Sequence, residues 1–130
     1  MGLTSVLAAA AAGWVFGAVW YMALSKQWIA AAGVACDENG KPLNSSILPF
    51  VLSAVAMILV AGMMRHVFAM AHIGSPGLGI MGGFGIGLFF ISPWIMINNA
   101  YAMRPFRLTL IDGGYATLGC TLIGLVLTLL

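Results

Sequence analysis

Apolar runs long enough to span a membrane follow one another along the chain, separated by short polar stretches. Leu3 to Leu24 carries no charge. Ile47 to Met64 carries none either and continues past Arg65 to Met70. Gly77 to Ile97 forms a third run, and Leu108 to Leu130 a fourth whose one charge is Asp112. A helix rises ~1.5 Å per residue, so about 20 apolar residues cross the ~30 Å of hydrocarbon in a bilayer. The pattern therefore predicts four helices, over about 3–24, 47–70, 77–98 and 107–130. No run shows the two-residue alternation of a membrane β-strand. The expected fold is all-α, an integral membrane bundle of four transmembrane helices in a single domain, residues 1–130.

Composition agrees with this reading. Hydrophobic side chains make up 62% of the chain and charged ones 6%, against roughly 25% charged in a soluble domain, so these residues cannot build a water-facing surface. Five Lys and Arg against three Asp and Glu leave a formal charge of +2, too little for the basic patch a nucleic-acid partner requires. The alanines from Ala8 to Ala12 have the look of a signal-peptide end. Yet no basic residue precedes the apolar run, which continues to Trp20 and Tyr21, aromatic side chains suited to the lipid–water boundary. The first run reads as a retained helix. Alternation of four spans puts Lys26, Lys41, Arg104 and Arg107 on one face, opposed by Arg65 and the terminal amine. That imbalance predicts that both longer loops are cytoplasmic and both termini lie outside.

The loop from Ser25 to Ser46 reads as a structured excursion. Asn39 and Gly40 signal a turn, and Pro42 ends any helix carried over from the first span. A faint likeness to a calcium loop at Asp37, Asn39 and Gly40 fails, because the later oxygen ligands and the closing Glu are missing. Asn44, Ser45 and Ser46 match a glycosylation pattern that is common by chance. Their expected use is local, with Asn44 or a neighbouring serine capping the second span.

In lipid, helices associate through close approach at small residues and through interhelical hydrogen bonds. Gly79, Gly83 and Gly87 recur every four residues in a zipper-like stripe, as do Gly13 and Gly17. Gly113, Thr117, Thr121, Gly124 and Thr128 form a helical track on the fourth span, where each hydroxyl can bond a carbonyl of its own helix. The glycine stripes either close the bundle or face a second copy of the chain.

Metal and haem chemistry find little support. His66 and His72 are separated by roughly 600° of helical rotation, so they do not share a face, and they suit snorkelling beside Arg65 at the outer boundary. Cys36 lies in a loop and Cys120 within a span, so both are expected as free thiols. The glycine-rich run from Gly77 to Gly87 lacks the Lys-Ser/Thr of a phosphate loop, and no nucleophile stands with a base. No cofactor, metal or enzymatic activity is expected.

The chemistry-bearing residues lie mainly between Trp94 and Tyr115. Trp94, Asn98, Asn99, Tyr101, Arg104 and Arg107 come first, then Asp112 and Tyr115. Alternation of the spans brings Trp20, Tyr21, Lys26 and Trp28 to the same face. Pro105 suits the first turn of the fourth helix, which puts Asp112 about two turns inside. An acid at that depth needs a partner, and Arg104, Arg107, Asn98, Asn99 and the tyrosines are the available donors. Asp112 can lock the hairpin between spans, favoured by the helix dipole, contact a ligand, or relay a proton. Ser92 and Pro93 predict a kink beside this cluster, which frees a backbone carbonyl.

Gly17, Trp20, Tyr21, Lys26 and Trp28, with Asn98, Asn99, Tyr101, Arg104 and Pro105, and then Leu110, Ile111, Asp112, Gly114 and Tyr115, give the chain its likeness to known proteins. It resembles, over essentially its whole length, the small bacterial membrane proteins catalogued as domain of unknown function 1761. The resemblance implies four spans and supplies no activity. The position after Tyr115, often histidine in similar sequences, is Ala116 here, which removes a titratable pair with Asp112.

These observations lead to the expectation of a non-enzymatic protein that binds a lipid or other amphiphile, or serves as an accessory subunit of a membrane complex. Its partners would be membrane lipids, a second copy or a larger complex. The ligand-binding residues would be Trp20, Tyr21, Trp94, Asn98, Asn99, Tyr101, Arg104, Arg107, Asp112 and Tyr115, with both arginines on an anionic headgroup. The rival expectation is a homodimeric carrier of a small solute or proton with Asp112 as the switching acid, although the two halves of the chain show no repeat.

Overall fold

Backbone in hydrocarbon must satisfy its own N–H and C=O groups, so each apolar run coils into a helix. A computed structural model describes residues 2–43 and 46–130. The helices are α1 (Leu3–Ala23), α2 (Ser25–Ala32), α3 (Leu48–Met70), α4 (Pro76–Gly85), α5 (Ser92–Tyr101) and α6 (Phe106–Leu129), with a π-helical segment, Ile86–Ile91, joining α4 to α5. Among the described residues, four stretches are long and apolar enough to cross a membrane: α1, α3, the continuous Pro76–Tyr101, and α6. The fold is all-α, as the apolar runs predict.

The first loop holds more structure than a turn. After a break at Leu24, residues Ser25–Ala32 form α2, which ends at Gly33 in the left-handed conformation with φ +74°, well before Pro42. Helix-favouring side chains continue through Ala32, and glycine adopts the left-handed cap without strain. Ala31 buries against Leu108 and Ile111 of α6, with Tyr21, Leu24 and Trp28 around them, so α2 folds back over the start of the last helix. Beyond it, Cys36 and Pro42 pair across a tight turn in which Asp37 Oδ1 accepts the N–H groups of Asn39 (2.8 Å) and Lys41 (3.0 Å). Asp37 is thus occupied by its own turn.

Gly33 gives a local prediction. A Cβ there would lie 2.5 Å from the Arg104 guanidinium and sit at positive φ, whereas Gly40, also at positive φ (+78°), has nothing within 4 Å. Gly33→Ala is expected to cost about 1 kcal/mol or more and to lower the thermal midpoint in mild detergent further than Gly40→Ala does. Equal midpoints would show that Arg104 does not constrain the α2 terminus.

Among the described residues no side chain caps the second span. Asn44 and Ser45 lie outside the described residues, and Ile47 stands at the N-cap with no capping side chain and Pro49 in the first turn. The kink at Ser92 and Pro93 takes the form of the π-helical segment. Proline brings no N–H to the ladder, and the widened turn lets the Ser92 N–H reach the Gly87 carbonyl. The Ser92 hydroxyl lies 2.7 Å from that same carbonyl, 3.1 Å from Gly113 O and 3.2 Å from Thr117 Oγ1. It ties the irregular turn to α6.

The last helix, α6, is the centre of the bundle, with α1 on one flank and α4, the π segment and α5 on the other. Small residues decide this arrangement. Gly79 meets Gly124 and Thr128, Gly83 meets the backbone of Cys120 and Thr121, and Gly87 meets that of Ala116 and Thr117. Gly13 lies against Ile123 and Met57, and Gly17 against the Tyr115 ring. Both glycine stripes therefore pack within the chain. Thr121 and Thr128 bond carbonyls of their own helix, at 2.7 Å from Thr117 O and 2.9 Å from Gly124 O. At the end of the bundle where the chain begins, Val6, Ala9 and Ala10 of α1 bury against Ala61, Met64 and Phe68 of α3 and Cys120, Ile123 and Leu127 of α6. Toward the loop end α3 keeps to α1, where Trp14 Nε1 donates to Ser53 Oγ (3.0 Å) and Phe50 O (3.2 Å), and it barely touches α6. A gap opens there between α3 and α5.

Candidate binding groove

The gap is a lateral groove of about 660 Å³ with α6 as its floor. The walls come from Phe50, Met57 and Val60 of α3 and from Ile91 and Ile95 on the far side. Asp112, Tyr115, Gly119, Cys120 and Ile123 form the floor, and Tyr21 and Trp28 close the loop end. A second recess of about 480 Å³, between α1, α2 and the start of α3, shares Tyr21, Trp28, Pro49, Phe50 and Tyr115 with it.

Polar chemistry gathers at the loop end. Tyr21 donates its phenol proton to Asp112 Oδ1 at 2.7 Å, and Oδ2 has no hydrogen-bond partner among the described residues. Tyr115 donates to Gly13 O at 2.9 Å, with Met57 Sδ at 3.4 Å. One turn from Tyr115, Trp20 Nε1 donates to the Ile111 carbonyl at 3.0 Å. Tyr21 stands edge to face with both Trp28 (ring centroids 6.0 Å apart) and Tyr115 (5.5 Å), while Phe16 stacks obliquely between Trp20 and Tyr115. The first and fourth spans are thus joined by a phenol and an indole from α1 and a phenol from α6. Tyr21 satisfies a side-chain acceptor that lipid would leave bare, while Tyr115 and Trp20 each add a second bond to a helix carbonyl.

Of the residues predicted to form a site, Trp20, Tyr21, Asp112 and Tyr115 come together. The others do not join them. Trp94 is 67% exposed and Tyr101 87% exposed, both on the outer surface of α5, and Asn98 is exposed as well. Asn99 turns to α6 and donates to Thr109 Oγ1 at 3.2 Å, which fastens the hairpin. Arg104 lies beside Gly33, and Arg107 is exposed. Neither pairs with Asp112, whose partner is Tyr21. The physical reason is rotational: Asp112 points across the bundle to α1, while the arginines sit at the rim of the hairpin, where water solvates them. His66 and His72 are both exposed, and no group of metal-binding side chains forms among the described residues. Cys36 and Cys120 are free.

Sequence reasoning missed the groove walls, Phe50, Met57, Val60 and Ile95. Nothing marked them, because an apolar side chain on a wall and one facing lipid are the same letters. Trp28 carried a weak signal as an aromatic residue on the polar face.

Four spans around an open lateral groove, with one carboxylate inside the bundle, make this a small multi-pass α-helical membrane protein. The chain belongs to the family described as Protein of unknown function (DUF1761), whose model matches residues 4–128. No curated protein and no solved structure matches it.

Proposed function

We propose that the protein binds an amphipathic molecule drawn from the bilayer in the groove beside α6, without transforming it, either alone or as an accessory subunit of a larger membrane complex. The observation that supports this reading is the groove itself. Its volume falls within the range of about 300–1,000 Å³ usual for ligand sites, its walls are apolar, and its few polar groups converge at one end. An amphiphile needs that division. Arg104 and Arg107 stand outside the groove at headgroup level, where they meet anionic lipid. The excess of basic residues on the longer loops supports an orientation with those loops in the cytoplasm of a bacterial cell and both termini in the periplasm.

Native mass spectrometry of gently extracted protein tests the reading. A bound amphiphile is expected on the natural chain. It should be absent from Ala116→Trp, which fills the floor of the groove while leaving the helices folded by circular dichroism. A bare natural chain, or the same adduct on the variant, would sink the proposal.

One observation favours a second reading, carriage of a small solute or proton by a homodimer: Asp112 is a carboxylate inside a span that lines the groove, with one of its oxygens bonded to Tyr21. Asp112→Asn separates the two. Proton-coupled uptake into proteoliposomes would vanish with the acid, whereas the apolar contacts of a bound amphiphile would survive it.

A further inference from the structure

We infer that the molecule held in the groove is a lipophilic organic cation, with its charged centre against Asp112 in the corner formed by Tyr21, Trp28 and Tyr115 and its apolar body along Met57, Ile95 and Ile123. This rests on the groove being a ligand site.

Charge complementarity carries the argument. The residues lining the groove include one carboxylate, Asp112, and no lysine, arginine or histidine. The phenol protons are already committed, that of Tyr21 to Asp112 Oδ1 and that of Tyr115 to the Gly13 carbonyl. The polar side chains lining this end therefore bring acceptor capacity rather than free protons: a carboxylate and two phenols whose protons are used elsewhere. An anionic head would meet Asp112 with no countercharge. A zwitterionic phospholipid would leave its phosphate unpaired inside the groove, an uncompensated charge in an apolar setting. A cation satisfies the site as it stands.

The aromatic geometry points the same way. Tyr21 meets Trp28 at 80° and Tyr115 at 75°, so three rings make a corner beside the carboxylate. Ring faces carry negative potential and attract cations, most of all quaternary or delocalised ones that part easily from water. The basic side chains nearest this end do not compete for Asp112, since Arg104 lies against Gly33 and Arg107 is exposed. Along α6 the axial rise from Asp112 to Ile123 is ~16 Å, room for an apolar body of several rings or a medium alkyl chain.

Tetraphenylphosphonium and tetraphenylborate, alike in size and shape and opposite in charge, provide the test. Each is titrated into the full-length protein in dodecyl maltoside and followed by tryptophan fluorescence and calorimetry. The phosphonium is expected to bind at least about tenfold more tightly than the borate, on the strength of the carboxylate and the ring faces. Asp112→Asn should abolish the preference and Asp112→Glu should retain it. The comparison on the unaltered protein decides the matter even if a variant fails to fold. Equal or tighter binding of the borate would overturn the cation assignment while leaving the groove an amphiphile site. Binding of neither ion would also overturn it, and the mass spectra of the natural chain and Ala116→Trp report separately whether the groove holds anything. Displacement of the phosphonium by dodecylphosphocholine as effectively as by dodecyltrimethylammonium would assign a phospholipid head and likewise overturn it.

Discussion

Gly83→Ala is expected to loosen the bundle by roughly 1–3 kcal/mol, the range for forcing an added methyl into a closed contact. The new Cβ would overlap the carbonyl of Cys120 and come within 3.0 Å of the Thr121 Cα. The obstruction is helix backbone, which cannot rotate away as a side-chain tip can. The two helices must separate, and in lipid no hydrophobic effect presses them together again, because the tails wet an exposed apolar face as readily as the partner helix does. Gly85 is the control. It lies in the same span with nothing within 4 Å of its would-be Cβ, so Gly85→Ala removes a flexible residue from a helix and should leave stability unchanged or raise it by about 0.5–1 kcal/mol. Thermal or SDS-driven unfolding in mild detergent reads both. Equal destabilisation of the two would mean that contact between α4 and α6 does not hold the fold.

Removing the hydroxyl of Tyr21 is expected to be the second large change. In Tyr21→Phe the Asp112 carboxylate loses the one hydrogen-bond donor it has among the described residues, and a polar group left without its partner away from water costs about 1–3 kcal/mol. Asp112→Asn keeps an oxygen that can accept the same phenol proton, so its effect on stability should be much smaller. That difference is what lets Asp112→Asn report on binding. Replacing both partners with apolar groups removes the unsatisfied acceptor altogether, and Tyr21→Phe with Asp112→Leu should be more stable than Tyr21→Phe alone. A double-mutant cycle measured by the same unfolding assay checks this. A coupling energy near zero would show that the phenol and the acid do not support one another.

Parts of the site could be read before the fold was known. Asp112 stood out because an acid inside a span is costly and needs a partner, Trp20 and Tyr21 because such aromatic residues suit the lipid–water boundary, and Tyr115 as a donor within reach of the acid. The choice of partner could not be read. Arg104 and Arg107 are near Asp112 in sequence and opposite in charge, yet Tyr21, 91 positions away, holds its carboxylate. Proximity along a chain favours arginine only if the hairpin turns its charges inward. Here α2 folds over the start of α6, fills the space beside Leu108 and Ile111, and leaves the arginines at the rim. The π-helical segment shows the same division. Pro93 announced an irregularity, but the hydroxyl of Ser92, anchored on Gly87 and close to Gly113 and Thr117, decides where the extra backbone is taken up.

By itself the sequence determined the class of protein, the four spans and the faces on which helices could approach. Each of these depends on local composition: a run of apolar residues long enough to cross hydrocarbon must form a helix, and a row of glycines leaves backbone bare wherever the helix lies. The tertiary structure decided which helices meet, that α6 lies at the centre, that α3 leans away from α5 to leave a groove, and that Asp112 opens into it beside Tyr21. Those depend on the rotation of each helix about its own axis. In water an apolar stripe against a polar face would reveal that rotation, but in a membrane the side that packs and the side that faces lipid are both apolar, so only the packed contacts select it.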